Sequence, residues 1–236
     1  MKHKRSLFME RKINIAFDGP AACGKSTAAM AAAKALGFLY VDTGAMYRAA
    51  AWLALRDGVP LSDKDAVTAV VEGNSIELRQ DWSVPKGYRV FADGVDITGE
   101  ITSAEVNSSV STVAAISGVR RILAGRQRDM AKSGGIVMAG RDITTVVMPD
   151  AELKIYLDAS LDVRAERRLR EELASGRSTT LEEVRRSLEK RDRTDSERAD
   201  SPLVVADDAV VINSDCMTAD EVVAEVIRLA GEREKK

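Results

Sequence analysis

Apolar positions along the chain follow two rhythms. Short β-branched or wholly apolar runs occur at Ile13 to Asp18, Leu39 to Asp42, Ile136 to Ala139, Leu153 to Leu157 and Ala209 to Asn213. Runs of this length without alternation predict strands buried on both faces, as in a parallel sheet. Between them lie stretches of helical composition: the alanine-rich Ser26 to Leu36, then Gly44 to Arg56, which Gly58 and Pro60 end. Strand, helix and strand in this order predict βαβ units and a five-stranded parallel sheet flanked by helices.

The rhythm changes twice. From Ser75 to Thr98 short strands are broken by Pro85-Lys86-Gly87 and by Asp93-Gly94, a hairpin turn, which predicts a small antiparallel insert. Helical patterning resumes from Ser103 to Lys132. Asp162 to Arg198 is charged and helical, interrupted near Ser175-Gly176, and Thr218 to Arg233 closes the chain as a helix. No internal repeat or low-complexity linker appears. The expected organisation is an N-terminal extension over residues 1–12 and a single domain over 13–236, with an insert at about 62–116 and a helical lobe at about 164–198.

Composition narrows the chemistry. In 236 residues, 35 basic side chains against 37 acidic leave no global field to draw nucleic acid, so partners are read from local sites. Cys23 and Cys216 have no metal-ligand spacing, and a reduced cytoplasmic protein without disulfides is expected. The lone histidine, His3, lies in the charged N-terminal stretch, so catalysis through a histidine base is not expected. No apolar run reaches the length of a bilayer span, and MKHKRSLFMERK is too weakly apolar for a secretory signal; Met1 and Met9 both fit as a start.

The segment FDGPAACGKST carries the sharpest signal. Gly19, Gly24, Lys25 and Ser26 fill the pattern G-x-x-x-x-G-K-[ST], between a strand and a helix as that loop requires. Glycines let backbone N–H groups converge on phosphate oxygens, the lysine adds positive charge at the β and γ phosphates, and the serine offers a hydroxyl to Mg²⁺. Gly19, Pro20, Ala21, Ala22, Cys23, Gly24, Lys25, Ser26 and Thr27 are therefore the candidate ATP-binding residues, with Ser26 the metal ligand. Cys23 is read as a small filler of the loop.

A nucleotide loop alone allows a hydrolysing switch, a small-molecule kinase or a sensing module. The Asn-Lys-x-Asp motif of a GTPase is absent, and the one Asp-x-x-Gly match, Asp96 to Gly99, follows a hairpin. A kinase must also hold a second anion in line with the donor and neutralise its charge. Arginines outnumber lysines 23 to 12, and ten of them lie between Arg164 and Arg198 among nine acidic residues. Arg164, Arg167 and Arg168 share a helix face by spacing; Arg191, Asp195 and Arg198, at i, i+4 and i+7, line up as a clamp on one face. Intrahelical ion pairing is the plainer alternative for both sets.

The strings GPAACGKST, VDTGAMYR, DGVDITGEI, GRDITTVVMPDA and KRDRTDSERADSPL, in this order, resemble the bacterial cytidylate kinases from about Ile13 to the C-terminus. The resemblance implies a P-loop core, a monophosphate-binding insert and a mobile lid, transferring phosphate from ATP to CMP or dCMP in pyrimidine nucleotide metabolism. It implies that Thr43, Arg48 and Arg141 hold the acceptor phosphate, that Ser111, Arg120 and Asp142 face the cytosine, that Arg191, Asp195 and Arg198 clamp ribose and phosphate, and that Arg167 reaches the donor. Lys25, Arg141, Arg191 and Arg198 are the expected catalytic groups. An acid at Asp142 suits cytosine, whose exocyclic amine donates where uracil accepts. Partners are small nucleotides with Mg²⁺, without nucleic acid or membrane, and a monomer is expected. Tyr47, Trp52 and Trp82 are read as core aromatics.

Two positions depart from the family's usual run. Ala139 stands where an acid commonly precedes GRD, which weakens support for a metal; Thr144 stands for a glycine, which predicts a slightly different loop after Asp142. Two rivals remain, another small-molecule P-loop kinase and a nucleotide-sensing module.

Overall fold

The computed structural model describes residues 12–235. The reading of residues 1–11 as an extension, His3 included, lies outside the described residues. The central sheet contains β1 (Ile15–Asp18), β2 (Leu39–Asp42), β6 (Ile136–Ala139), β7 (Leu153–Asp158) and β8 (Val210–Asn213), in the order β2-β6-β1-β7-β8 with every pairing parallel. β1 and β6 are buried at all four positions, as their unbroken apolar composition demands. Loops at the C-terminal ends of all five strands share one edge of the sheet, and β1 sits where the chain switches sides, the usual place for a ligand.

Helices cover both faces. α1 (Lys25–Leu36) packs on the sheet through Ala28, Ala29, Ala32 and Ala33, small enough for close approach, and ends at Gly37 in the left-handed region. α2 (Thr43–Arg56) buries nine residues, α3 (Lys64–Gly73) follows it, and α8 (Ala219–Arg233) lies beside α1. The antiparallel sheet of β3 (Ile76–Gln80), β4 (Tyr88–Ala92) and β5 (Val95–Asp96) forms as the turn signals predict, with Asp93 and Gly94 both at positive φ. It is tied to the core sheet where Tyr40 N–H donates to Gln80 Oε1 at 2.9 Å.

Several expectations need correction. The helical run from Ser103 to Lys132 is two helices, α4 (Ala104–Ala114) and α5 (Ser117–Ala131), because Ile116 is extended and turns the chain. α3 lies in a stretch left without an assigned element. The charged run is α6 (Leu161–Ala174) and α7 (Leu181–Glu197), the latter started by a Thr180/Glu183 capping box. Arg198 is the C-cap of α7, where ψ turns extended, and its side chain still meets Asp195, with Nη1 3.7 Å from Oδ1, so the three clamp residues face one cavity. Tyr47 is buried and Trp52 packs against the core, whereas Trp82 is 37% exposed, with Lys34 of α1 over its ring at 5.9 Å. Among the described residues no helix is long and apolar enough to cross a membrane.

Candidate active site

The loop after β1 wraps around its own lysine. Lys25 begins α1, yet its Nζ turns back to donate to the Pro20 carbonyl at 2.6 Å and to Cys23 Sγ at 3.4 Å. Gly19 has φ 144°, and a Cβ there would stand 2.0 Å from the Leu157 carbonyl oxygen, so only glycine fits against β7. No side chain caps the start of α1, so its first N–H groups face the cleft without a partner from a capping residue. Burial, and then the nearby Arg141 charge, push Lys25 down to about 8. This is a cationic, amide-lined cradle whose charge a bound polyanion would restore. Ser26 and Thr27 stand exposed at its mouth.

Across the cleft, at the ends of β2 and β6, a second group of cations gathers. Arg141 Nε donates to Asp195 Oδ2 at 2.9 Å, and Arg198 Nη1 lies 3.7 Å from the other oxygen of Asp195. Arg120 Nη2 donates to Asp142 Oδ2 at 2.5 Å in a buried pair, while Arg198 Nη2 is 3.8 Å from Asp142 Oδ1. Arg120 Nε and Arg198 Nη2 are buried donors without an acceptor, a condition that favours a ligand oxygen. Arg191 makes neither hydrogen bond nor ion pair among the described residues. Crowding by the cleft walls, then the charge of Arg141, push it down to about 10, although cleft solvent still reaches the side chain and it is protonated at neutral pH.

Thr43 is buried, with its hydroxyl donating to the Ala139 carbonyl at 2.9 Å. Arg48 is shared with Asp42 at 3.4 Å, and Ser111 is exposed on the cleft wall formed by α4. All the residues expected at the acceptor therefore line one cavity, of about 1160 Å³, together with Lys25 and Arg167. That volume exceeds a typical single-ligand pocket.

The arginines of α6 separate by partner. Arg167 Nη2 donates to the Ser214 carbonyl at 2.7 Å, in the cavity that Met217 and Val222 also line. Arg164 donates to Asp192 at 2.6 Å and to the Ala21 carbonyl at 3.2 Å, and Asp192 also accepts from the Ala21 N–H at 3.3 Å. Arg168 is paired with Glu171 and Glu172 on its own helix, the plain intrahelical alternative.

Spacing did not single out Asp192, Lys86, Tyr88 or the wall from Ser214 to Val222. Asp192 lies inside KRDRTDSERADSPL and Lys86 inside a turn signal, neither with a role assigned, and the others become neighbours of the site only when distant strands end together. Among the described residues no group of three or more His, Cys, Asp or Glu gathers to hold a metal. One exposed hydroxyl, Ser26, suits Mg²⁺ that takes its other ligands from phosphate and water. Ala139 is buried in β6 and offers no ligand, and Asp18 turns both carboxylate oxygens away toward residues 143 and 144.

The chain matches the family described as cytidylate kinase over residues 15–232. It is 45% identical over 225 residues to a cytidylate kinase of Geobacillus sp. strain WCH70, covering 95% of this chain and 99% of that one. A cytidylate kinase of Pediococcus pentosaceus is 44% identical over 97% of this chain and 100% of its own. A bifunctional pantoate ligase/cytidylate kinase of Synechococcus sp. strain JA-2-3B'a(2-13) is 48% identical over 93% of this chain, which spans 40% of that longer protein. Two facing cationic walls in one cleft, built on the five-stranded P-loop core and carried by this near-complete match, place the chain in the cytidylate kinase family.

Proposed function

We propose that the cleft transfers the γ-phosphoryl group of ATP to CMP, and to dCMP, giving CDP or dCDP and ADP in the pyrimidine nucleotide metabolism of the cytoplasm, with the chain acting as a monomer. The observation that carries this reading is Arg191, a guanidinium without a partner, set among Arg141 and Arg198 and facing the Lys25 cradle in the same cavity. A lone ATP site has no use for a second cationic wall.

The α1 amides and Lys25 hold the donor phosphates, with Arg167 at the adenosine end. Arg48, Arg141 and Arg191 hold the acceptor phosphate, and Asp195 accepts from ribose hydroxyls. Asp142 Oδ2 is occupied by Arg120, which leaves Oδ1 to accept from the cytosine amine. Arg120 Nε and Ser111 are left to meet the remaining polar edge of the base. Ser26 would hold Mg²⁺, which would supply charge neutralisation at the donor phosphates. Transfer is in line and direct, without a phosphoenzyme, because among the described residues the P-loop presents only amides, a lysine and hydroxyls to the phosphates; positioning and charge neutralisation supply the rate. In this reading residues 62–116 form the acceptor-binding insert and 164–198 the lid that excludes water.

The test is a coupled ADP-release panel of CMP, dCMP, UMP, AMP and shikimate with ATP and Mg²⁺. Turnover of CMP and dCMP well above the others is expected. Preference for another acceptor would overturn the reading, and ATP binding without any turnover would favour a sensing module.

A further inference from the structure

Asp18 is the last residue of β1, immediately before Gly19, and it is fully buried. Among the described residues no cation lies within ion-pair distance of its carboxylate. Its compensation is three hydrogen bonds from one short segment: Ile143 N–H on Oδ1 at 2.9 Å, and on Oδ2 the Thr144 N–H at 2.8 Å and the Thr144 hydroxyl at 2.6 Å. Thr144 is itself buried, in the single π-turn of Ile143–Val147 that follows Arg141 and Asp142 directly. Its backbone is not at positive φ, so threonine is accommodated here without strain.

We propose that Thr144 is a positioning residue for phosphoryl transfer: its hydroxyl, bonded to Asp18 Oδ2, holds the buried Asp18 side chain so that it fixes the donor loop to the segment carrying Arg141 and Asp142. One end of the link is covalently next to the P-loop, the other next to the acceptor residues. A second tie between the same strands, Gly140 N–H to the Phe17 carbonyl at 2.9 Å, is pure backbone and survives any side-chain change. The Thr144 hydroxyl is the one donor to Asp18 that a substitution can remove.

A buried carboxylate without a counter-ion stays charged only while donors satisfy it. Burial raises Asp18; the Thr144 hydroxyl, then the two N–H groups, oppose that rise, and Asp142 adds to it. The titratable groups facing Asp18 are Lys25 from α1, Arg141 and Asp142 from the loop after β6, and Tyr156 from β7. Its negative charge favours the protonated forms of Lys25 and Arg141, one on each side of the transfer. Removing the hydroxyl raises the Asp18 pKa further, so the carboxylate is lost at a higher pH as pH falls.

This inference rests on the transfer reaction proposed above, and one readout is independent of it. In Thr144→Val the acid limb of the kcat/KM profile for CMP is expected to move up by about one pH unit. kcat at pH 6 should fall about tenfold while KM for ATP changes little, and Thr144→Ser should restore both. The Asp18 carboxyl ¹³C resonance, identified by its loss in Asp18→Asn, should titrate at higher pH in Thr144→Val than in wild type or Thr144→Ser. Should Thr144→Val fail to fold, Thr144→Gly is read in the same way. Superimposable titrations of wild type and the variant, or a Ser variant that behaves as Val, overturn the inference. Absence of CMP turnover in the wild type overturns the proposed function, and the carboxyl titration still decides the role of Thr144.

Discussion

Arg191 and Arg120 bring the same charge into the same cleft from opposite energetic positions. Arg120 is locked to Asp142, both side chains under a tenth exposed, whereas Arg191 has no partner to lose. Arg191→Gln should therefore leave thermal stability within about 2 °C of wild type and cut kcat/KM for CMP about 100-fold, the effect of losing a charged contact made only with substrate. Arg120→Gln strands a buried carboxylate, a loss of about 3–5 kcal/mol, and should lower the melting temperature by roughly 10 °C. Calorimetry and steady-state kinetics on the two variants separate these roles; equal destabilisation would mean that Arg191 is structural. Spacing on a charged helix marked Arg191 in the sequence and only the family resemblance marked Arg120, and neither signal could say which one was paired. That depends on the loop after β6 carrying Asp142 back against the buried side of α5.

At the scale of elements, α6 and α7 form an antiparallel pair whose inner face touches the P-loop backbone. Their mean composition is strongly polar, and a small apolar cluster, Ala21, Ala165, Val184 and Leu188, seats them beneath Arg164 and Asp192. Asp192 holds both Arg164 and the Ala21 N–H, so it latches α7 to the donor loop. Asp192→Asn keeps the shape and removes the charge. Trypsin should then cut after Arg177, in the exposed connection between the helices, about tenfold faster than in wild type, because a charge-assisted bond no longer opposes local opening. An unchanged cutting rate would show that the apolar cluster alone holds the pair. The break at Ser175-Gly176 was visible in the chain. The latch was not, because Asp192 reads as one more acid in a run of alternating charges.

For the whole molecule, two ligand walls are joined by one helix. α7 meets the P-loop through Asp192 and the second cationic wall through Asp195 with Arg141. A non-hydrolysable ATP analogue or CMP, each at a hundredfold its dissociation constant, should stabilise the fold by about 2.7 kcal/mol, roughly 5–10 °C for a chain of this size. Together they should raise the melting temperature by more than the sum, since ordering α7 against one ligand lowers the cost of ordering it against the other. A combined shift no larger than the greater single one would indicate one shared site.

The chain's own pattern determined the five apolar strands, the alanine-rich helix behind the P-loop, the antiparallel insert and the identity of the cationic residues. These follow from local periodicity and from motifs whose glycines and lysine are adjacent in the chain. Tertiary structure decided the division of Ser103 to Lys132 into two helices and the partners that satisfy or leave bare each buried charge. It also joined Asp18 to Thr144 across more than a hundred residues, for the physical reason that parallel strands far apart in sequence end side by side, and only there can a buried carboxylate find its donors.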